Sequence, residues 1–275
     1  MKIKYRFTFL MNNKDVVNFL NEQKIEITNV EGIGSLEIFN DRSNLNEVVN
    51  FLELHNLKYN AATSQCIYTK KEINEAEWLM VRGTWRNDYP QPEKDFGYIH
   101  TTYDSSDFCE KCLKGLVQKD IFMIKKKPNW GTKNFLMINW VHDEFFVSSK
   151  VETIFRDNNV KGLDFYKVFN RSKKEIEGTK QIYINNYLQP GIKNESIKQE
   201  LICSKCGYKK YLKKLGFIYY SKDVFTSLDA DMIKSHEKFG EMTCSSLIFI
   251  TQRLYKIIVD NNLGRGLVYE PVQLV

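Results

Sequence analysis

Four of the six cysteines in this chain fall into two C-x-x-C pairs, the arrangement best suited to chemistry. The pairs are Cys109 with Cys112, and Cys203 with Cys206. Each C-x-x-C turn lets both sulfur atoms face one point, and backbone amides inside the turn can stabilise the thiolates. Two such turns supply the four thiolates of a tetrahedral structural Zn²⁺ site. The pattern therefore predicts one structural zinc ion held by these four cysteines, as in a zinc ribbon.

The two pairs are far apart in the chain, because residues 113–202, ninety in all, separate them. A compact zinc ribbon has a much shorter spacing, so we expect the turns to come from two related halves that meet across a pseudo-twofold axis. A redox role for the pairs and a set of unpaired buried thiols are the alternatives. A closed four-thiolate site has no open coordination position, which argues against zinc hydrolysis.

A stripe of lysine and aromatic side chains follows the second pair, at residues 208–214. Its cationic members are Lys209, Lys210, Lys213 and Lys214. Basic surfaces that carry aromatic rings can hold phosphates and stack bases, so the stripe is a candidate nucleic-acid contact. The alternative is that these lysines form the solvated face of a strand beside the zinc site, which the modest net charge favours.

One histidine adjoins two carboxylates, in the tripeptide His142-Asp143-Glu144. Side chains alternate between faces where a strand begins, so we expect the three groups not to converge and predict a solvated turn. The chain has no G-x-S-x-G elbow, and Ser148 and Thr251 are placed as helix caps. With no nucleophile, base and open metal position together, the sequence favours a protein that is not an enzyme.

The first domain is predicted to span residues 1–70, with strands and helices in the order β-α-β-β-α-β. The strand periodicity of Lys2 to Leu10 begins this order, and a last strand is predicted near Lys58 to Tyr68. The pentapeptide Val-Val-Asn-Phe-Leu occurs at 16–20 and again at 48–52, which indicates a duplicated strand–helix–strand unit. This order is that of a ferredoxin-like domain.

A connecting segment is predicted at 71–99, with a helix over residues 73–81. The rest, 100–275, is predicted to be a duplicated, zinc-binding α+β domain with halves at about 100–172 and 195–275. The segments 146–168 and 249–272 carry the duplication. Each has a strand, an amphipathic helix ending in Asp-Asn-Asn, a Gly-Leu step and a second strand. Each half also holds one C-x-x-C pair, and the Asp-Asn-Asn triplets are expected to end helices.

The composition is that of an ordinary globular protein. Of 275 residues, 43% are hydrophobic and 27% are charged, which excludes disordered and collagen-like chains. Lys and Arg number 40 and Asp and Glu number 34, for a net charge of +6, which does not by itself establish a nucleic-acid partner. No apolar run approaches the ~20 residues of a membrane span. A cytoplasmic protein without a membrane association is therefore expected.

The chain resembles the bacterial double-CxxCG-motif family in several features. These are two distant C-x-x-C turns, Ser148 and Gly162 in the first half, and an Arg253-bearing helix followed by Gly266-Leu267. The resemblance covers about residues 70–275, and Leu113 stands where the family has glycine after the first pair. It implies an immunity protein that binds a toxin as its protein partner and has no enzymatic activity. A zinc-ribbon nucleic-acid-binding protein that uses the 208–214 stripe is the alternative.

Overall fold

The computed structural model describes residues 1–59, 64–226 and 228–275. These residues form a mixed α+β structure with six α-helices and several sheets. The chain divides into two compact units, Met1–Glu72 and Ile73–Val275. In the described part of the chain, no helix combines the length and the apolar character that crossing a membrane requires.

The first unit is a four-stranded sheet with two helices. Its elements in chain order are β1 (Lys2–Leu10), α1 (Lys14–Glu22), β2 (Thr28–Val30), β3 (Ile33–Phe39), α2 (Leu45–Leu54) and β4 (Gln65–Ile67). The strands are arranged β4-β1-β3-β2, and every neighbouring pair is antiparallel. Of the last strand predicted near 58–68, residues 60–63 lie outside the described residues, and the described strand is β4.

Alternation along β1 and the spacing of apolar residues in the helices build the core of this unit. Phe7 and Phe9 are buried on one face of β1, and Val16 and Leu20 are buried on α1 at helical spacing. The side chain of Asn13 caps α1 by accepting a hydrogen bond from the amide of Val16 at 3.4 Å. The repeated pentapeptide therefore supplies one helix face to this core, and its second copy in α2 supplies another.

The second unit contains the remaining elements. In chain order they are α3 (Lys70–Glu75), which spans the division, β5 (Trp78–Gly83), α4 (Tyr98–Thr102), β6 (Tyr103–Asp104), β7 (Val117–Gln118), β8 (Phe135–Leu136), β9 (Phe145–Ser148), α5 (Ser149–Asp157), β10 (Asp164–Phe169), β11 (Glu175–Tyr183), β12 (Ile197–Ile202), β13 (Lys209–Lys213), β14 (Ile218–Tyr220), β15 (Met232–Phe239), β16 (Ser245–Thr251), α6 (Gln252–Asp260) and β17 (Leu267–Leu274). Short 3₁₀ helices lie at Lys94–Phe96, Asn194–Ser196 and Lys222–Phe225.

Two larger sheets organise this unit. The first has the order β10-β11-β9-β8, and the second has the order β12-β13-β15-β16-β5-β17-β14. In the first sheet β9 and β10 lie on either side of β11, and both are antiparallel to it. In the second sheet β16 and β17 lie on either side of β5 in the same way. In both sheets, therefore, a strand–helix–strand segment encloses a middle strand from outside that segment, which follows it directly in the case of β11 and precedes it by far in the case of β5.

One apolar core joins these two sheets. Val151 and Phe155 of α5 and Leu254 and Ile258 of α6 are fully or almost fully buried in it. Each helix contributes its residues at i and i+4, which lie on one face. The sheets contribute further buried side chains, namely Leu79, Val81, Phe145, Val147, Ile182, Ile248 and Ile250.

The segment 71–99 is more than a connection. The helix predicted over 73–81 is shorter, ends at Glu75, and gives way to β5, which lies inside the seven-stranded sheet. The side chains from Trp78 to Val81 are all buried, so the strand lacks the alternation that marks a half-exposed strand. A short apolar run of this kind cannot be distinguished from a helix by its periodicity.

The helices α5 and α6 begin differently at their N-termini. Thr251 caps α6, because its Oγ1 accepts a hydrogen bond from the amide of Leu254 at 3.1 Å. Ser148 occupies the same position before α5, but its hydroxyl donates to Asn134 Oδ1 at 2.9 Å and caps nothing. The cap predicted at Ser148 is therefore absent, because a loop side chain competes for its hydroxyl.

Candidate metal centre

The sulfur atoms of the two C-x-x-C pairs lie together in the second unit. All four lie within 4.8 Å of one another. Cys109, Cys112 and Cys203 are buried, and Cys206 is exposed. The first cysteines of the two pairs have their sulfurs 3.8 Å apart, and the fourth-position cysteines have theirs 3.7 Å apart. The fold therefore brings together two cysteine pairs that ninety residues separate in the chain.

The two turns have the same backbone path. The amide of Leu113 donates to the carbonyl of Cys109 at 2.7 Å, and the amide of Gly207 donates to the carbonyl of Cys203 at 2.8 Å. Leu113 and Gly207 both have left-handed backbones, with φ of 63° and 70°. Glycine adopts this conformation freely, whereas leucine does so at a cost of roughly 1–2 kcal/mol. Leu113 therefore follows the glycine path despite its side chain.

The side chains between the cysteines contact each other reciprocally. Lys111, third in its turn, donates to the hydroxyl of Ser204, second in the other turn, at 2.6 Å. Lys205, third in its turn, pairs with Glu110, second in the other, at 2.5 Å. The sulfur of Cys109 also lies next to that of Cys203, and the sulfur of Cys112 lies next to that of Cys206. This exchange relates the two turns by an approximate twofold rotation.

The electrostatics of the first cysteine in each turn favour the thiolate. The backbone amides of Cys206 and Lys205 lower the pKa of the Cys203 thiol to about 6. For Cys109, burial raises the pKa, but the amides of Cys112 and Lys111 oppose it and the net pKa is lowered. Amides directed at a sulfur stabilise its charged form, as they do at other low-pKa thiols.

The last cysteine of the first turn has the opposite tendency. Burial raises the pKa of the Cys112 thiol to about 12. A cation among the four sulfurs supplies the positive charge that offsets this desolvation and displaces the proton. The donor set, four soft sulfur ligands around one point, fits a metal ion of the class that thiolates bind. The cluster can therefore hold a metal ion.

The lysine stripe beside the second turn is only partly available to a ligand. Lys210 is buried, with 4% of its surface exposed. Its ammonium donates to the backbone carbonyls of Glu241 at 2.6 Å and Thr243 at 2.8 Å. Lys210 therefore anchors the loop before β16 and belongs neither to a solvated face nor to an open basic surface.

The other lysines of the stripe differ in their partners. Lys209 pairs with Glu200 at 2.6 Å on the exposed surface. Lys213 pairs with the buried Glu270 at 2.8 Å. Lys214 is exposed. The structure thus spreads the four lysines over different environments, and the carboxylates of Glu200 and Glu270 neutralise two of them.

The His142-Asp143-Glu144 tripeptide is not a solvated turn. His142 is exposed, but Glu144 is buried and forms an ion pair with the ammonium of Lys234. The amide of Gln181 also donates to Glu144, at 3.1 Å. The sequence prediction was wrong at Glu144 because the partner, Lys234, lies on β15, and no short-range pattern connects the two positions.

Burial and pairing act in opposite directions on this ion pair. Burial raises the pKa of Glu144, and the charge of Lys234 opposes the rise. Burial lowers the pKa of Lys234, but the charge of Glu144 raises it above its ordinary value. A charged pair of this kind depends on the presence of both partners. The buried ion pair between Glu144 and Lys234 was therefore not predicted from the sequence.

No protein-family model matches this chain, and no curated protein matches it with significant similarity.

Proposed function

We propose that this protein is a zinc-stabilised, non-enzymatic protein-binding module that acts as an immunity protein of a bacterial toxin system. The observation that carries the proposal is the closed cluster of four cysteine sulfurs. Such a cluster stabilises a fold and leaves no coordination position for a substrate. The resemblance of the two C-x-x-C turns to the double-CxxCG-motif family supports the immunity role.

Zinc is the metal that fits this cluster best. Zn–S bonds of about 2.3 Å in a tetrahedron place neighbouring sulfurs about 3.8 Å apart. The distances of 3.8 Å and 3.7 Å between equivalent sulfurs match this spacing. Tetrahedral four-thiolate sites take zinc or iron, and zinc supplies structure without redox chemistry.

Elemental analysis of the purified chain tests the metal. We expect one zinc per chain, and we expect Cys203→Ser to lower the zinc content and the thermal stability together. Cys66→Ser is the matched control, because Cys66 lies in the first unit. A protein without metal, a chain loaded with iron, or a Cys109–Cys112 disulfide under reducing conditions contradicts the zinc assignment.

The second unit is proposed to be a duplication, which the strand registers support. In one segment, Gln181 of the middle strand is opposite Phe146 on one side and Tyr166 on the other. In the other segment, Met80 of β5 is opposite Phe249 and Glu270. The sequence alignment of 146–168 with 249–272 equates Phe146 with Phe249 and Tyr166 with Glu270. The strand registers and the sequence alignment, which are independent of each other, therefore equate the same residues of the two segments.

The helix ends support the same relationship. Asn159 and Asn262 both have left-handed backbones, with φ of 50° and 54°. Gly162 and Gly266, which follow them, have φ of 87° and 89°. The middle strands precede the C-x-x-C pairs, so we propose halves that begin with β5 and with β11. These boundaries start earlier than 100 and 195, and each half gives its middle strand to the sheet of the other.

The first unit is proposed to be a ferredoxin-like domain. Its chain order β-α-β-β-α-β and its antiparallel sheet order β4-β1-β3-β2 support this assignment. The fold alone does not identify an activity, so we assign this unit no separate role.

A binding role rests on the absence of catalytic geometry at the metal centre and on the resemblance. The closed thiolate set offers no Lewis-acid position, and the lysines around it pair with side chains of the opposite turn. Zinc then contributes through folding, because thiolate sites of this type couple metal binding to folded structure.

Co-expression with the product of the neighbouring gene tests the immunity role. We expect a toxin there, rescue of growth by this chain, and a complex that survives purification. Cys203→Ser should weaken rescue and thermal stability together, whereas Cys66→Ser should leave both unchanged. Loss of a hydrolytic or redox turnover in Cys203→Ser with an intact fold contradicts a binding role.

The alternative is a zinc-ribbon protein that binds nucleic acid through the 208–214 stripe, with Lys209 and Lys214 as its exposed cations. It predicts binding to generic DNA or RNA that weakens steeply as salt increases. Such binding, together with failure of the neighbouring gene product to bind, supports the alternative over the immunity role.

A further inference from the structure

A cleft of about 520 Å³ in the second unit lies outside the metal centre. Its walls carry Tyr98, Trp140 and Tyr187 and the charged groups Asp143 and Lys238. This volume is in the range of sites that hold small molecules. The rings of Tyr98 and Trp140 are nearly parallel, with centroids 6.0 Å apart and an interplanar angle of 21°. The cleft therefore combines aromatic surface with charge.

One pair of charges at the cleft is already compensated. Glu144 and Lys234 line it and form the buried ion pair. Gln181 donates to Glu144 at 3.1 Å and exchanges two hydrogen bonds with Gln118, at 2.9 Å and 2.7 Å. This network satisfies its own charges, so a ligand is left with the other charged groups that line the cleft.

Three further charged groups line the cleft, namely Lys114, Asp143 and Lys238. Lys114 lies over the ring of Tyr208, 5.4 Å from its centroid, whereas Asp143 and Lys238 are both held at Ser246. The amide of Ser246 donates to Asp143 Oδ2 at 2.9 Å. The ammonium of Lys238 donates to Ser246 Oγ at 2.8 Å and lies 5.3 Å from the ring centroid of Tyr187. Within residues 1–59, 64–226 and 228–275, neither side chain forms an ion pair, with the other or with any third group.

Asp143 and Lys238 carry opposite charges, and both are hydrogen-bonded to Ser246 without forming an ion pair. A ligand that carries a positive and a negative group close together is complementary to this arrangement. We propose that the cleft binds a free α-amino acid, with its ammonium at Asp143, its carboxylate at Lys238 and its side chain against the aromatic wall. Charge-assisted hydrogen bonds to both ends then hold the ligand. The single-carbon spacing of the two groups in an α-amino acid suits charges held on either side of Ser246.

The desolvation of Lys238 supports this assignment. Burial lowers the pKa of Lys238, and the charge of Asp143 opposes the effect. Its ammonium has three donor hydrogens, and one protein acceptor is present among the described residues. A carboxylate at this position gives the ammonium further acceptors and a directly contacting anion, which Asp143 does not provide.

Titration calorimetry on the metal-loaded, full-length protein tests the proposal with L-phenylalanine as the probe, after a thermal-shift screen of the twenty amino acids. The matched analogues are 3-phenylpropionate, which lacks the ammonium, and 2-phenylethylamine, which lacks the carboxylate. We expect each analogue to bind about tenfold or more weakly than L-phenylalanine. This comparison needs no variant and therefore does not depend on a variant folding.

Two substitutions assign the ends of the ligand. Asp143→Asn should weaken L-phenylalanine but not 3-phenylpropionate, and Lys238→Met should weaken L-phenylalanine but not 2-phenylethylamine. The exposed residues Asp157 and Lys126 provide the control variants Asp157→Asn and Lys126→Met, which should bind like the parent. The proposal is overturned if no amino acid shifts the melting temperature, or if the three compounds bind equally.

Discussion

Two residues that follow the cysteine pairs, Leu113 and Gly207, adopt the same left-handed backbone with different side chains. The leucine side chain packs against the neighbouring apolar cluster that contains Phe122, Ile124 and Val141. Packing of this kind offsets backbone strain, because the half-buried Leu113 gains part of the roughly 1.5–3 kcal/mol that full burial of a leucine contributes. The residue after each pair must therefore adopt the left-handed backbone, but it need not be glycine. This explains how the first C-x-x-C pair keeps its geometry with Leu113 in place of glycine.

Gly207→Ala should destabilise the second unit by about 1 kcal/mol. The cost comes from the backbone alone, because a Cβ at this position meets no atom within 4 Å. Gly207→Asn should cost less, since asparagine tolerates the left-handed region better. Urea unfolding measures both, and an alanine variant as stable as the parent contradicts the strain argument.

The buried pair of Glu144 and Lys234 gives a second prediction at this scale. Lys234→Met and Glu144→Gln should each destabilise the protein by about 3–5 kcal/mol, because each leaves a buried group without its partner. The double variant should cost less than the two single losses added together. Urea unfolding of all three variants measures the coupling.

The matched control for this pair is the exposed ion pair between Lys161 and Asp229. Lys161→Met should change stability by no more than about 1 kcal/mol, as is typical of exposed pairs. Additive losses at Glu144 and Lys234, or a loss in the control as large as in Lys234→Met, contradict the proposed coupling.

Cysteine spacing predicted the four sulfurs that meet, because a C-x-x-C turn limits its own geometry. Lys210 and Glu144 could not be predicted in the same way. Lys210 is buried because its ammonium reaches two carbonyls of a loop about thirty residues away. Glu144 is buried because Lys234 lies on a distant strand. A charged residue is buried only when its partners are present, and here the fold supplies them.

At the scale of elements, the helices α5 and α6 end in the same way. In each, the first asparagine of the triplet bonds back to the helix, with Asn158 donating to the carbonyl of Ile154 at 2.8 Å and Asn261 donating to that of Ile257 at 2.9 Å. The next asparagine has a left-handed backbone. The triplets thus end helices through local hydrogen bonds, as expected from the sequence.

Alanine in place of the left-handed asparagines provides a test of the duplication. Asn159→Ala and Asn262→Ala should each cost about 1 kcal/mol, because alanine is strained at positive φ. Asn159→Gly and Asn262→Gly are the controls and should be close to neutral, because glycine adopts this backbone freely. The two alanine losses should agree within about 0.5 kcal/mol. A large loss at one position and none at the other, measured by urea unfolding, argues against equivalent units.

The elements also differ in how well the sequence predicts them. The amphipathic helices α5 and α6 lie on the core with one face, so their spacing of apolar residues is visible in the sequence. Strand β5 is buried on both faces, so its apolar run carries no period and was predicted as a helix. Its place between β16 and β17 depends on contacts with residues more than 160 positions away, as between Val81 and Ile248. No local pattern contains that information.

At the scale of the whole molecule, the two units can be followed separately. All four tryptophans, Trp78, Trp85, Trp130 and Trp140, lie in the second unit, which also holds the cysteine cluster. Tryptophan fluorescence therefore reports the unfolding of the unit that holds the cysteine cluster, without a contribution from the first unit.

Removal of the metal should lower the melting temperature seen by tryptophan fluorescence by at least about 10 °C, since structural zinc contributes several kcal/mol or more. The physical reason is that the cluster joins two segments ninety residues apart. A zinc chelator such as EDTA, followed by added zinc, should lower and then restore the transition. The Cys66→Ser variant should respond like the parent. A tryptophan transition that does not move when a zinc-containing sample is stripped contradicts a stabilising role.

The proposed duplication, in which each half gives its middle strand to the sheet of the other, has a consequence for how this unit can exist. A chain with β8, β9, α5 and β10 but without β11 has two outer strands and an open gap between them, and the other segment without β5 has the same gap. On the proposed duplication, one half expressed alone would complete its sheet with a strand from a second copy, and the product would be a twofold homodimer with the four-cysteine cluster on its axis. On the same proposal, joining two copies in one polypeptide removes the dependence of that assembly on concentration. It also frees the two cysteine turns to differ, as Leu113 and Gly207 already do.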